Sequence, residues 1–264
     1  MTATPVEVPR LARLLPKTAH GEVLASRYVL LEIESNSGVV GVGEVTCEPT
    51  WNGEEALETS RLLAGPLQSE LVGADPLSWA DLSTRLDRTV RHRPFLRAAV
   101  EMACLDLASR HLGVPANVLL GGAYRTRIAT KIVLPARRIG NVRAMAEGLA
   151  GLGITTVKVK VGLEVDQDVA RVSTVRDVVG PDVKITVDAN EGWSVPLARS
   201  AVDRLSALGV VAVEQPLSRR AWEASAALRR DTGMPLMGDE SIWTRGDVIQ
   251  AGRTGAFDLS LIHI

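Results

Sequence analysis

The stretch TVKVKVG at residues 156–162 decides the fold, because it belongs to a series of aliphatic runs separated by segments of helical periodicity. The other runs are IATKIVLPA (128–136), VKITVDAN (183–190), VVAVEQP (210–216) and PLMGDES (235–241). Strands separated by one helix each must run parallel, and a repeat of about 25 to 30 residues suits a doubly wound sheet or an eight-stranded barrel. No GxGxxG or GxxxxGKS/T phosphate loop follows any run, so we favour the barrel.

The N-terminal part has a different pattern, typical of an α+β unit. Residues 28–45 form two β-branched runs around the Asn-Ser-Gly sequence at 36–38, which tolerates the positive φ of a hairpin turn. Roughly 54–112 has helical periodicity that stops at Gly113. We therefore expect an antiparallel hairpin and helices first, and then βα repetition from about residue 128.

Composition narrows the classes of partner. The 264 residues carry a net charge of -1 with acids and bases scattered, which gives no broad attraction for nucleic acid or for an anionic membrane. Cys47 and Cys104 lack metal-ligand spacing, and the N-terminus lacks the apolar stretch of a signal peptide. We expect a cytoplasmic protein that acts on small molecules.

The run at 156–162 carries two lysines on one face. A strand places Val157, Val159 and Val161 on one side and Lys158 and Lys160 on the other. If the valines contact the outer helices, both lysines point into the barrel. An isolated KVK also fits a solvated edge strand, so the other strands must decide between the two interpretations.

Three acids follow the next three strands at similar positions. The steps from Lys160 to Asp188, to Glu214 and to Asp239 are 28, 26 and 25 residues, which is one functional group for each βα unit. Barrel enzymes place their active sites at this carboxyl end of the strands. A single acid there is as often a helix cap or a salt-bridge partner, but three in step indicate a site.

Carboxylates that converge in a barrel mouth repel one another, and a divalent cation resolves the repulsion. Oxygen-only ligands favour Mg²⁺ or Mn²⁺ over zinc. A lysine beside such an ion can exchange a proton α to a substrate carboxylate while the positive charge stabilises the enediolate.

These motifs resemble the enolase superfamily, and within it the muconate-lactonizing-enzyme subgroup. The resemblance covers nearly the whole chain, and the motifs are specific only when taken together. They are GVPANVLLGG (113–122), the KxK strand at Lys158–Lys160, Asp188-Ala189-Asn190, EQPLSRR (214–220) and Gly238-Asp239-Glu240-Ser241.

The resemblance implies a role for each of these residues. Asp188, Glu214 and Asp239 would be the metal ligands, Lys160 the acid/base, and Lys158 its electrostatic neighbour and a carboxylate contact. It also implies an N-terminal capping domain over 1–125 and a partial TIM-type barrel over 126–264, with about strands 1–6 present.

Four further residues are candidates with ordinary alternatives. Trp51 would wall off the substrate or serve as a loop packing anchor, and His20 would bind substrate or be a solvated loop histidine. Asn190 and Glu240, beside metal ligands, would orient them or form ordinary turn contacts.

The chain departs from the family at its C-terminal end. It stops during the sixth strand, and His263 stands where the subgroup has a second acid/base lysine. We hypothesise that residues 259–264, LSLIHI, are not native, because a translated sequencing adapter at the end of a broken contig would read this way. On this hypothesis the functional prediction concerns the complete enzyme, for which a homo-oligomer is one expected state. The truncated chain itself would be inactive.

The predicted activity is that of a metal-dependent muconate cycloisomerase. Dipeptide or N-acylamino-acid racemisation and o-succinylbenzoate synthesis are alternatives that use the same residues. A non-catalytic metal and carboxylate binding protein is the alternative of a different class, but binding alone does not require paired internal lysines.

Overall fold

The computed structural model describes residues 1–10, 17–18, 21–22, 24–49, 51–149 and 151–261. The chain divides into two compact units. The first contains Met1–Leu11 and Leu24–Thr126, and the second contains Ala12–Val23 and Arg127–Ile264. His20 and His263, both named by the sequence prediction, lie outside the described residues.

The first unit contains a three-stranded antiparallel sheet of the order β1-β4-β5. Its strands are β1 (Thr2–Pro9), β4 (Ala25–Glu34) and β5 (Val40–Cys47). The predicted hairpin is β4–β5, and Gly38 supplies the positive φ of 81° in its turn. In the second unit, β2 (Lys17–Thr18) pairs antiparallel with β3 (Gly21–Glu22).

Strand β1 was not predicted, because its sequence TATPVEVP contains Pro5 and Pro9. Proline cannot donate to a sheet ladder, which argues against a central strand. β1 lies at the edge of the sheet, where it pairs on one side only with β4, and there the missing N–H is tolerated.

The first unit also contains helices, which pack against this sheet or against one another. They are α1 (Ala56–Leu62), a π-helical turn (Leu63–Leu67), α2 (Gln68–Leu71), α3 (Trp79–Thr89), α4 (Pro94–Leu112) and α5 (Ala116–Leu119). A Cβ at Gly41 would lie 2.2 Å from the carbonyl oxygen of Ala103, and a Cβ at Gly43 would lie 2.1 Å from that of Ala99. Glycine in β5 therefore allows α4 to pack directly on the strand backbone.

The second unit alternates strands and helices as predicted. Its elements are β6 (Lys131–Leu134), α6 (Ile139–Leu149), β7 (Thr156–Lys160), α7 (Val165–Val179), β8 (Lys184–Asp188), α8 (Val195–Ala207), β9 (Val210–Glu214), α9 (Trp222–Thr232), β10 (Leu236–Gly238), α10 (Arg245–Thr254) and β11 (Leu259–Ser260). These six strands form one parallel sheet in sequence order, β6 to β11. This is the strand arrangement of a TIM-type barrel over six of its eight strands.

The outer face of this sheet forms an aliphatic core. Val157, Val159 and Val161 are buried with residues of α6 and α7 such as Val142 and Val172. Burying a side chain of this kind contributes roughly 1.5–3 kcal/mol to stability. The predicted orientation of the valines is confirmed, and the two lysines between them lie on the opposite face of β7.

Within the described part of the chain, none of the helices combines the length and the apolar character that crossing a membrane requires.

Candidate active site

The register of the parallel sheet brings the predicted residues together at its carboxyl end. Lys160 on β7 lies opposite Asp188 on β8, and Asp188 lies opposite Glu214 on β9. Glu214 lies opposite Met237 on β10, so Asp239 follows two residues later, just after that strand ends. Three strand ends therefore carry three adjacent functional groups, and the next loop carries a fourth.

Lys158 lies beneath this row and bridges two of its acids. Its Nζ is 2.8 Å from Asp188 Oδ2 and donates to Glu214 Oε1 at 2.5 Å. Lys158 is only 6% exposed, Asp188 is fully buried, and Glu214 is 2% exposed. The ammonium group therefore compensates two carboxylates that water does not reach.

Lys160 is held from two sides. Its Nζ donates to Asp188 Oδ2 at 2.6 Å and to Asn190 Oδ1 at 2.8 Å. Asn190 has a positive φ of 43°, and its side-chain Nδ2 donates to Glu240 Oε1 at 3.1 Å. Glu240, Asn190 and Lys160 thus form a chain of hydrogen bonds that ends at the row of acids.

The pKa values of the three carboxylates shift in different directions. Burial raises the pKa of Glu214 to about 7, with a further contribution from the charge of Asp188. Burial also raises the pKa of Asp239 to about 6, and the charges of Glu240 and Asp188 add to this. Burial would raise the pKa of Asp188 too, but the charges and hydrogen bonds of Lys160 and Lys158 hold it at about 2. The charged forms of Glu214 and Asp239 are therefore disfavoured, because the lysines compensate their negative charge only partly.

Two oxygens of these acids fit a bound cation. Glu214 Oε2 and Asp239 Oδ1 are buried and have no hydrogen-bond partner among the described residues. A buried carboxylate oxygen without a partner is costly, and a divalent ion would satisfy both. Across the described residues, no three histidine, cysteine, aspartate or glutamate side chains are gathered closely enough to hold a metal as they stand. In this arrangement the Lys158 ammonium group lies against both Asp188 and Glu214.

Comparison with known proteins assigns the chain to a family. Residues 1–121 match the model "Mandelate racemase / muconate lactonizing enzyme, N-terminal domain", and residues 141–264 match "Enolase C-terminal domain-like". A hydrophobic dipeptide epimerase of Enterococcus faecalis is 30% identical in an alignment of 252 residues that covers 93% of this chain and 69% of that protein. The chain belongs to the mandelate racemase/muconate lactonizing enzyme family of the enolase superfamily.

Solved structures agree with this assignment. A dipeptide epimerase from Enterococcus faecalis V583, complexed with Mg and the dipeptide L-Leu-L-Tyr, has a TM-score of 0.91 at 27% identity. The match covers 98% of this chain and 72% of that one. A muconate lactonizing enzyme from Pseudomonas fluorescens, complexed with muconolactone, also has a TM-score of 0.91, at 26% identity over 98% of this chain and 70% of that one. These relatives are enzymes, and the matched portion has their fold.

Two loops of this family member are fixed by groups that the sequence did not reveal. Gln215, which follows Glu214 with a positive φ of 35°, is fully buried. Its Oε1 accepts from the backbone N–H of Asp239 at 3.0 Å and of Ser241 at 3.2 Å, and its Nε2 donates to Ser241 Oγ at 2.8 Å. Gln215 therefore orients the backbone that carries Asp239.

A second connection joins the loops after β8 and β9. Arg219 donates from Nε and Nη2 to both carboxylate oxygens of Glu191, the shortest bond being 2.6 Å. These hydrogen bonds raise the pKa of Arg219 above its ordinary value. The fork geometry is specific to arginine and fixes the two loops at the sheet edge that carries the acids.

Lys131 is a third lysine on the inner face. It lies opposite Thr156 in the β6–β7 register, so it shares the face of Lys158 and Lys160. Burial lowers its pKa, and the positive charge of Lys158 adds to the effect. The run IATKIVLPA shows no alternation around this lysine, and only the register with β7 reveals its direction.

Three of the four further candidates, Trp51, Asn190 and Glu240, lie among the described residues and have different outcomes. Asn190 and Glu240 contact the site as described above, whereas Trp51 lies in the first unit, where its ring meets that of Phe95 edge-on at 5.2 Å. That contact is the packing alternative for Trp51, and its substrate role stays a prediction.

Proposed function

We propose that this chain abstracts the proton α to a substrate carboxylate, with Lys160 as the acid/base. The observation that carries the proposal is the cross-strand row of Lys160, Asp188 and Glu214, followed by Asp239. A solvated edge strand or a set of loop salt bridges would not bury three acids and Lys158, with Lys160 half-buried beside them, at one end of a parallel sheet.

Asp188, Glu214 and Asp239 would hold a divalent metal. The unpartnered oxygens of Glu214 and Asp239 and the all-oxygen donor set support a hard cation, Mg²⁺ or Mn²⁺, and the Enterococcus faecalis neighbour with Mg favours Mg²⁺. When bound, the ion supplies positive charge beside the substrate carboxylate, where negative charge develops as the proton leaves.

The lysines would divide the remaining work. Lys160 in its neutral form accepts the α-proton at Nζ, and the electron pair of the C–H bond moves into the enediolate. Asp188 and Asn190 hold that Nζ in place. Lys158, deeper in the barrel, offers its ammonium group to the substrate carboxylate.

Return of the proton from Lys160 restores the original configuration. Inversion needs an acid on the opposite face of the enediolate, which is the role the sequence gives to the position of His263. Lys160 alone therefore supports α-deuterium exchange with retention, and inversion in addition would indicate a second acid/base.

The substrate is proposed to be a dipeptide or an N-acylamino acid. Two findings from Enterococcus faecalis support this proposal. The hydrophobic dipeptide epimerase is 30% identical to this chain, and the solved dipeptide epimerase with a similar fold is complexed with Mg and a dipeptide. Muconate cycloisomerisation is the second candidate, because the muconate lactonizing enzyme of Pseudomonas fluorescens has an equal TM-score. This reaction would use the same metal-stabilised enolate and would differ in the substrate, which is a muconate in place of a dipeptide or an N-acylamino acid.

Because a chain with six of the eight barrel strands is expected to be inactive, the test incubates the full-length protein with Mg²⁺ in D₂O. It follows the α-proton of a panel of dipeptides and N-acylamino acids by NMR, alongside the absorbance of cis,cis-muconate. We expect α-deuterium incorporation into at least one dipeptide or N-acylamino acid. Loss of muconate absorbance alone would favour the second candidate. Mg²⁺ binding by calorimetry without exchange into any candidate would contradict the enzyme and support the metal-binding alternative.

A further inference from the structure

A buried ion pair on α7 lies next to the site but contacts none of its carboxylates or ammonium groups. Arg171 Nη1 donates to Asp168 Oδ1 at 2.7 Å, and the two residues are 3% and 0% exposed. A buried ion pair is by itself weak evidence for stability, because desolvation can exceed the attraction between the charges. Its other hydrogen bonds indicate what it does.

Arg171 reaches the ends of two strands. Its Nη1 also donates to the carbonyl oxygen of Lys160, and its Nε donates to that of Arg137, each at 3.3 Å. Lys160 is the last residue of β7, and Arg137 follows β6. The guanidinium therefore ties the backbone of the proposed acid/base to the neighbouring strand end.

Asp168 binds the loops that follow. Its Oδ2 accepts from the backbone N–H of Gly162 at 2.8 Å and of Leu163 at 3.1 Å, just after β7. The indole Nε1 of Trp193, in the loop after β8, donates to the same oxygen at 3.4 Å. One helix residue thus connects the loop after Lys160 with the loop after Asp188.

These two loops pack against each other closely. The N–H of Val161 donates to the carbonyl oxygen of Asp188 at 2.8 Å. Gly162 has a φ of +90°, and a Cβ there would lie 2.1 Å from the carbonyl oxygen of Ala189. A Cβ at Gly192 would in turn lie 2.1 Å from the carbonyl oxygen of Gly162. A small displacement of the β7 end would therefore be transmitted to Asp188.

We propose that Asp168 and Arg171 are positioning residues. They fix the peptide that follows Lys160, so that the ammonium group of Lys160 stays beside Asp188. The Lys160–Val161 peptide is held by Arg171 at its carbonyl and by Asp188 at its N–H. The catalytic part of the inference rests on the proposed function, since Lys160 must be the group that exchanges the proton. Misplacement of a catalytic group by about 1 Å can cost a factor of about 10² in rate.

The test uses the double variant Asp168→Asn/Arg171→Met in the full chain. Either single substitution leaves a charge buried without its partner, and the variant then unfolds more easily or fails to fold. The double variant removes both charges, and the side-chain oxygen of the introduced asparagine can still accept from the two loop N–H groups. Its thermal midpoint should therefore lie close to that of the wild type, while the bonds from Arg171 to the two carbonyls are lost. Asp166→Asn is the matched control, because Asp166 is on the same helix and forms an exposed ion pair with Arg204.

The first readout is amide hydrogen exchange at Val161. We expect it to speed up by at least about tenfold in the double variant, because the peptide loses one of its two anchors. The N–H of Gln215, which follows the end of β9 and donates to the carbonyl oxygen of Met237 on β10, should not change. Equal exchange at Val161 in the wild type and the double variant would overturn the positioning role.

The second readout is α-deuterium exchange of the substrate. We expect kcat to fall by about 10²-fold with KM changed by less than about threefold, and no change in Asp166→Asn. An unaltered kcat together with faster exchange at Val161 would reduce the pair to a structural role and overturn the inference. If the wild-type chain exchanges no substrate at all, the proposed function fails, and the amide measurement still decides whether the pair holds the strand end.

Discussion

The two faces of the parallel sheet contrast sharply within one strand. On the outer face of β7, Val157 and Val159 are at most 1% exposed and pack among aliphatic side chains of the outer helices. On the inner face, Lys158 and Lys160 meet buried carboxylates at 2.5–2.8 Å. Alternation along the strand thus places aliphatic packing on one face and the charged site on the other. Outward substitutions should lower the free energy of unfolding in a way that Mg²⁺ does not restore. Inward substitutions should disturb the charge balance, with a loss of activity and a loss of stability that Mg²⁺ partly restores.

The largest effect on stability should come from the inner face. Lys158→Met removes the ammonium group between Asp188 and Glu214, and breaking a buried ion pair in this way costs about 3–5 kcal/mol. We expect urea unfolding in EDTA to show this loss, and Mg²⁺ to restore part of it by binding the acids of the folded chain. Lys184→Met, on the exposed start of β8, is the control and should change little. An equal loss in both variants would contradict a special electrostatic role for Lys158.

The outer face predicts a loss that Mg²⁺ does not affect. Ile185→Ala removes a fully buried side chain from the aliphatic core and should lower the free energy of unfolding by about 2–5 kcal/mol. Ile249→Ala, on the exposed side of α10, is the matched control. Urea titrations with and without Mg²⁺ check this. Recovery of Ile185→Ala by Mg²⁺ as large as that of Lys158→Met would show that the two faces are not separate.

Substitution of one acid should weaken the metal site without unfolding the protein. Glu214→Gln keeps the shape of the side chain and removes its charge, so Mg²⁺ affinity measured by calorimetry should fall by at least about 10²-fold. Glu223→Gln, an exposed glutamate in the first turn of α9, should bind as the wild type does. Unchanged affinity of Glu214→Gln would remove this residue from the proposed ligand set.

The smallest effect should come from the outer layer of helices. Thr244 caps α10 by accepting from the N–H of Asp247, and the Asp247 carboxylate accepts from the N–H of Thr244 at 2.8 Å. Thr244→Ala should cost about 0.5–2 kcal/mol, and Thr244→Ser should keep most of the stability. Burial opposes the shift, but hydrogen bonds from the Thr244 hydroxyl and from the backbone N–H groups of Trp243 and Thr244 lower the pKa of the Asp247 carboxylate below its ordinary value of 3.8. The ionised Asp247 carboxylate therefore contributes to the free energy of unfolding above pH 3.8, and this contribution is lost as the pH falls through the pKa of the folded state. Urea midpoints between pH 3 and pH 6 in the wild type and the two variants check this expectation.

The sequence could predict what local periodicity records. The order of strands and helices from β6 onward follows from alternation and from turn residues, and the row of Lys160, Asp188 and Glu214 follows from their equal place at strand ends. Strand β1 was not predictable by the same rule, because two prolines make an edge strand resemble a loop.

Side-chain hydrogen bonds between different elements could not be predicted, because the sequence of a single segment does not show which distant residues it will contact. Gln215 belongs to a turn after β9, but its partners Asp239 and Ser241 come more than 20 residues later. Arg171 lies on an amphipathic helix, and its carbonyl acceptors belong to β7 and to the loop after β6. Such bonds depend on the sheet register, which exists only once the strands have assembled.

The most direct test of the central claim compares Lys160→Ala with Lys184→Ala in the α-deuterium exchange assay with Mg²⁺. Both variants lose one lysine, but only the first loses the group that lies against Asp188 at the carboxyl end of the sheet. We predict a fall in exchange rate of about 10²–10⁴-fold for Lys160→Ala, the usual contribution of a general acid/base, and a wild-type rate for Lys184→Ala. Exchange by Lys160→Ala at the wild-type rate would contradict the assignment of Lys160 as the acid/base.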